Sequence, residues 1–382
     1  MIQRCAEQTL HRLAKGFPLV CITGPRQSGK TTLSRLAFPD KPYMSLEDPD
    51  IAQIAREDPR GLLDIYADGV ILDEAQAVPE LFKYLKTAVD RDPQSGKFIV
   101  TGSQQFSLFA GVSESLAGRA AFLSLLPFSM HELRRAKLVR ENPFEMLYRG
   151  FYPPLYQREV SVHDWYTQYI GTYIERDVRS IVNVKDLGQF RIFVKMCASR
   201  VGQILNQSAL ARDCGITHNT ARAWLSVLET SGILFLLPPW HSNYGKRLVK
   251  SPKLYFTDTG LLCRLLGIQN AETLFLHPNR GSIFESFVVS ELLKKRLNDA
   301  SPAELYFWRD NSGTEVDIVY EEGSALNAVE IKSGKTFSPD FIKALDTWRK
   351  YSLCPLENCS IVYAGDRALS WKGISVETWD SL

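Results

Sequence analysis

An unbroken match to the pattern G-x-x-x-x-G-K-[ST], Gly24-Pro25-Arg26-Gln27-Ser28-Gly29-Lys30-Thr31, constrains this chain more than any other stretch. Residues 17–23 before it form a short apolar run that suits a strand buried in a parallel sheet. Residues 31–38 after it hold no helix breaker and carry Leu33, Leu36 and Ala37 at helical spacing. Strand, glycine loop and helix thus follow in the order that a phosphate-wrapping loop requires. Glycines let the backbone close around phosphate oxygens, and the free N–H groups of a helix start attract the anion. The eight loop residues and Thr32 are the expected nucleotide contacts. Lys30 would reach the β- and γ-phosphates and Thr31 would hold Mg²⁺.

A chain of 382 residues has room for roughly two to four domains. With 45% hydrophobic and 23% charged residues it has the composition of an ordinary globular protein. The formal charge of +2 makes any nucleic-acid surface local rather than global. No run of 18 apolar residues occurs, and residues 1–16 lack the apolar core of a signal peptide, so the expectation is a cytoplasmic protein without a membrane partner. Seven cysteines, at 5, 21, 197, 214, 263, 354 and 359, fit buried thiols in a reducing compartment. Cys354 and Cys359 are close in sequence, but no histidines or second pair accompany them as zinc would need.

Residues 69–74, GVILDE, give a second strand that ends in two carboxylates. Asp73 would bind the metal or its water, and Glu74 would polarise the water that attacks ATP. Residues 97–103 form a further strand ending in small polar residues, where Ser103 or Gln104 could touch the γ-phosphate. Strands are also expected in KPYMSLED and at 120–126. Residues 1–135 resemble the AAA+ ATPases on these motifs. The resemblance implies an arginine just before the fifth strand that completes a neighbour's active site. Arg119 stands at that place. It also implies work as a hexamer or other ring, with the arginine neutralising charge on the transferred phosphoryl group.

From 143 to 200 the pattern is helical, and Trp165, Tyr166, Tyr169 and Tyr173 fall along one face. Such a stripe reads as packing rather than as a ligand platform. The segment resembles the helical lid of AAA+ proteins, in which Arg176 could sense nucleotide. Residues 208–224 read as helix, glycine turn and helix, with Thr217 able to cap the second helix. His218, Asn219 and Arg222 occupy its early turns, where a helix-turn-helix reads a DNA groove. GILFLLPPW and KLYFTDTG read as strands flanking a basic turn with Lys246 and Arg247. Together these resemble a winged helix, a fold that also serves as a packing module between proteins.

Towards the carboxy terminus, residues 281–293 form an amphipathic helix carrying Glu285. Strands follow at 305–308, 316–320 and 328–332, with RDNSGTE as the turn between the first two. Alternation in the last strand puts Glu330 and Lys332 on one face, with Asp317 on its neighbour. An aspartate followed by E-x-K on an adjacent strand resembles the PD-(D/E)XK, restriction-endonuclease-like nucleases. That resemblance implies Mg²⁺, or Mn²⁺ in its place, on Asp317 and Glu330, with Lys332 activating water and Glu285 beside the metal.

The whole chain resembles a family of prokaryotic AAA+ proteins with a carboxy-terminal domain of unknown function, on DTGLLCRLLG at 258–267 and FESFVVSELL at 284–293. The expected fold is α/β: a P-loop AAA+ core (1–137), a helical lid (138–200), a winged helix (201–262) and a nuclease-like domain (263–382). The expected function is a Mg²⁺-dependent ATPase that translocates on, remodels or branch-migrates DNA, with a metal-dependent nuclease module. The alternative is a nucleotide-switched regulatory or stress protein whose other modules bind partners or assemble copies.

Overall fold

The computed structural model of the chain describes residues 2–102, 116, 118–178, 186–240 and 251–382. The chain divides into two compact units, one of residues 1–128 with 230–232 and 294–302, the other holding the rest. Among the described residues no helix is long and apolar enough to cross a membrane.

In the first unit, β1 (Leu19–Thr23), β2 (Tyr43–Ser45), β3 (Val70–Asp73), β4 (Phe98–Gly102) and β5 (Ala120–Ser124) form one parallel sheet in the order β2-β3-β4-β1-β5. Both faces are covered, which is why β1, β3 and β4 are buried at every position. Leu19, Cys21, Leu72 and Val100 pack on one face with Phe82 and Leu85 of helix Leu81–Arg91. Val20, Ile22, Ile71 and Ile99 pack on the other with Leu10 and Leu33. The period of two splits each strand between two cores, so these strands read as unbroken apolar runs. Helix Lys30–Ala37 starts directly after the glycine loop.

In the second unit, the described residues of 143–199 are mainly helical, with breaks at 150–153 and 158–161, and the aromatic stripe is packing. Tyr166, Tyr169 and Tyr173 are buried, and Trp165 stacks on Tyr169 with centroids 4.9 Å apart. Helix Gln207–Asp213 meets helix His218–Thr230 through a turn in which Gly215 takes φ 66°. A side chain there would strain the backbone. The Thr220 N–H donates to Thr217 Oγ1 at 3.1 Å, the expected cap. The antiparallel pair β6 (Leu234–Leu237) and β7 (Lys253–Phe256) follows, with Ile204 bridged to Lys253.

The strand expected through KLYFTDTG stops at Phe256. Asp258 instead caps helix Thr259–Leu265, accepting from the Leu261 N–H at 2.8 Å. The boundary expected between 262 and 263 therefore falls inside a helix. That helix packs on Pro143–Arg149 and Val162–Tyr169, so these residues belong with the preceding helices.

The remaining strands are β8 (Leu305–Arg309), β9 (Glu315–Glu322), β10 (Ala325–Lys332), β11 (Cys359–Tyr363), β12 (Leu369–Trp371) and β13 (Ile374–Thr378). They form a mixed sheet in the order β12-β13-β11-β10-β9-β8, backed by helix Lys343–Ser352 through Leu345 and Trp348. The Trp240 N–H donates to the Phe307 carbonyl at 2.6 Å, which ties the chain after β6 to the β8 edge.

Asp258 has no exposed surface and accepts from the Phe151 N–H at 2.7 Å and the Tyr166 hydroxyl at 2.6 Å as well as from Leu261. Asp258→Ala strands three buried donors, and we expect it to cost about 3 kcal/mol or more. Thermal unfolding followed by tryptophan fluorescence checks this: an unchanged midpoint would show that the network does not hold the helices together.

Candidate functional site

The glycine loop is shaped by close backbone approach. A Cβ on Gly24 would lie 2.1 Å from the Leu125 carbonyl oxygen, and Gly29 takes φ 96° at the helix start. Lys30 is buried, and its ammonium donates to the carbonyls of Gly24 at 3.1 Å and Pro25 at 3.0 Å. Burial lowers its pKa, against the pull of Glu74 and Asp73. Pro25 and Ser28 are buried, Arg26 is half-buried with Glu47 at 3.4 Å, Gln27 is exposed and Thr32 is open to solvent on one side. Arg4 braces the loop from outside, donating to the carbonyls of Ser28 and Leu126 at 2.7 Å each.

Asp73 is the hub of this region. It accepts from Thr31 Oγ1 at 2.9 and 3.0 Å, from the Tyr43 hydroxyl at 2.7 Å, and from Thr101 Oγ1. Burial and then the Asp73 contact push the Tyr43 phenol up to about 12, so it stays a donor at neutral pH. Glu74 turns out of the strand at φ 52°, its N–H on Thr101 Oγ1 at 3.3 Å and its carboxylate accepting from Gln76. Sequence reasoning brings Thr31, Asp73 and Glu74 together but misses Tyr43 and Thr101. Ser103 and Gln104 lie outside the described residues. Arg119 pairs with Asp90, one residue before β5. Ala120 is level with Leu19, so Arg119 sits at the end of the sheet opposite the loop that follows Thr23.

In the second unit, His218, Asn219 and Arg222 are exposed on the helix after the glycine turn. Lys246 and Arg247, and the side chain of Arg176, lie outside the described residues.

Glu285, Glu315 and Asp317 bring carboxylate oxygens within 4.8 Å of one another. Glu330 is not one of this trio. Its Oε1 accepts from Lys332, while its Oε2 is buried without a hydrogen-bond partner. Asp317, expected to share a cation with Glu330, lies in the trio, and the Glu330–Lys332 pair sits in the same charged region. Glu315, which the sequence pattern assigns to the turn, is the first residue of β9, because the turn closes earlier through Asp310 and Thr314. Sequence reasoning also misses Lys253. It is 2% exposed and its ammonium donates to Glu285 at 2.9 Å and to Glu315. Tyr255 donates to Glu285 as well, and the Ile331 N–H donates to Asp317 at 2.7 Å.

Burial, then the charges of Glu330 and Glu285, hold the Asp317 carboxyl well above the usual carboxylate range. Glu330 is pushed up to about 7, chiefly by burial, although Lys332 pulls the other way. Burial alone would lower Lys253 and Lys332, but the carboxylates around them outweigh it and raise both.

Residues 16–134 match the model of the AAA domain family, 140–272 that of a domain of unknown function (DUF8612), and 280–380 that of another (DUF4143). Uncharacterized proteins of Mycobacterium tuberculosis and Mycobacterium bovis are each 32% identical over 369 residues, covering 95% of this chain and 80% of theirs. The chain belongs to their family. Its first unit is a P-loop AAA ATPase domain. Among solved structures, the Walker-type ATPase of Pyrococcus abyssi aligns over 68% of this chain and 94% of its own at 17% identity and a TM-score of 0.45. A single-residue variant of Thermotoga maritima RuvB aligns over 62% and 90% at 15% identity and a TM-score of 0.28.

The carboxylates of this AAA ATPase make a pH prediction. Folding raises the Glu330 pKa from 4.5 to about 7, so between those values the native state binds more protons than the unfolded one. Glu330 therefore lowers stability as pH rises through that window. In chelator, we expect Glu330→Gln to gain on the wild type from about pH 4.5 to 8. Parallel pH–stability curves in urea would contradict the burial of this group.

Proposed function

We propose that this chain is a Mg²⁺-dependent ATPase that acts on DNA as an oligomer and carries a metal-dependent phosphodiesterase site in its second unit. One observation carries the proposal: a complete nucleotide loop shares the chain with a carboxylate trio beside a Glu330–Lys332 pair. On the first site, Thr31 and Asp73 offer the hydroxyl and carboxylate that Mg²⁺ accepts alongside water. Lys30 stabilises charge on the β- and γ-phosphates, and Glu74 orients the attacking water. Tyr43 and Thr101 hold Asp73 in place. Arg119 is too far along the sheet to serve its own loop, which favours action on a neighbouring subunit.

On the second site, an all-oxygen donor set and the orphaned Glu330 Oε2 fit a divalent cation. Asp317, Glu330 and Glu285 are the proposed holders, and Glu315 lies within reach of two of them. A bound ion would acidify a water and offset charge on a phosphodiester. Lys332 orients that water and favours the ionised form of Glu330. In the winged-helix reading of residues 201–262, His218, Asn219 and Arg222 face the groove, with Lys246 and Arg247 at the wing. The regulatory alternative, with an inactive nuclease-like module, is favoured by one feature: Lys253 already supplies Glu285 and Glu315 with a cation.

Glu74→Gln is expected to bind ATP normally and to lose about 100-fold or more in turnover. Arg119→Ala subunits should be equally poor alone, and mixing the two should restore part of the activity. Restoration failing at every ratio would remove the shared active site. Arg222→Ala should weaken duplex binding and reduce its salt slope by about one. An unchanged slope would assign that helix to protein packing.

A further inference from the structure

We infer that Lys253 is a tethered counter-cation that competes with divalent metal for the carboxylate cluster, so that metal occupancy is linked to the position of β7. This rests on the metal site proposed above. The lysine belongs to neither the helix nor the strands that supply the carboxylates. It is the first residue of β7, level with Leu237 in the antiparallel pair and bridged to Ile204. From there its buried ammonium donates to Glu285 on helix Arg280–Asn298 and to Glu315 on β9, two of the trio.

Three carboxylates crowded within 4.8 Å repel one another unless a cation stands among them. A lysine answers that need with one charge, and a divalent ion answers it with two. Both draw on the carboxylates of Glu285 and Glu315, and two cations held by one pair of carboxylates repel each other. Metal entry therefore has to move the ammonium off at least one carboxylate. Moving it is opposed by local structure, because β7 is held to helix Arg280–Asn298 by Phe256, whose N–H donates to Ser286 Oγ at 3.2 Å and whose carbonyl accepts from it at 3.1 Å. Tyr255 also stays on Glu285. Any event that shifts β7 must then change metal affinity, and metal must in turn bias β7 by the same free energy.

The full-length protein tests this with Mn²⁺ as probe. Calorimetric titration should show Lys253→Met binding Mn²⁺ about tenfold or more tighter than the wild type. Without metal the variant should melt lower, and Mn²⁺ should raise its midpoint more than that of the wild type. Wild-type protein gives a second measurement free of any folding defect: acetylation of Lys253, read by mass spectrometry, should rise as Mn²⁺ is added. Equal affinities in both proteins, or metal binding without a change in Lys253 labelling, would overturn the competition and leave the metal site standing. Absence of Mn²⁺ binding in both folded proteins would remove the metal site itself.

Discussion

Parallel register across β3, β4 and β1 is the constraint on which the nucleotide region depends. Leu72 pairs with Val100 and Val100 with Cys21, so the three strands end in step. One residue further, Asp73 and Thr101 stand side by side, and the loop after Thr23 brings Thr31 to the same carboxylate. A slip of one residue would exchange the two apolar faces, sending Leu19 and Leu72 where Val20 and Ile71 now pack. The two cores on opposite faces thus fix the chemistry at the strand ends. Burial of alternate residues sets the register, and the register gathers hydroxyl, phenol and carboxylate at one point.

Much of this is legible in the sequence. The strand–loop–helix order, the Asp73-Glu74 ending and the aromatic packing stripe each carry a local signal. Contact between distant segments carries none. Tyr43 opens a three-residue strand whose partner choice no local pattern announces, yet its hydroxyl lands on Asp73. Thr101 lies inside a strand, whereas the small polar residues at the strand end give the stronger local signal. Lys253 and Glu315 lie far apart in sequence and meet only because β7 and β9 converge on helix Arg280–Asn298. TDTG looks like strand by composition. Asp258 overrides that by satisfying three buried donors as a helix cap.

The second unit concentrates charge where water is scarce. Four carboxylates and two lysines share one region around β7, β9 and β10, where burial and charge raise Asp317 and Glu330 while Lys253 holds Glu285 and Glu315. Crowding of this kind is costly unless something uses it. The arrangement makes sense as a site whose acids are balanced by resident lysines and whose geometry suits a harder cation. Replacing either lysine by an apolar residue would leave a carboxylate without its ion-pair partner.

We propose that the nucleotide cycle of the first unit serves work on DNA. The most direct measurement is the steady-state ATPase rate of the full-length protein with and without single-stranded, duplex and branched DNA. We predict a severalfold rise with at least one of these forms, lost at high salt as counterion release requires. A rate identical under all four conditions, in protein that hydrolyses ATP, would show that DNA is not coupled to the nucleotide cycle.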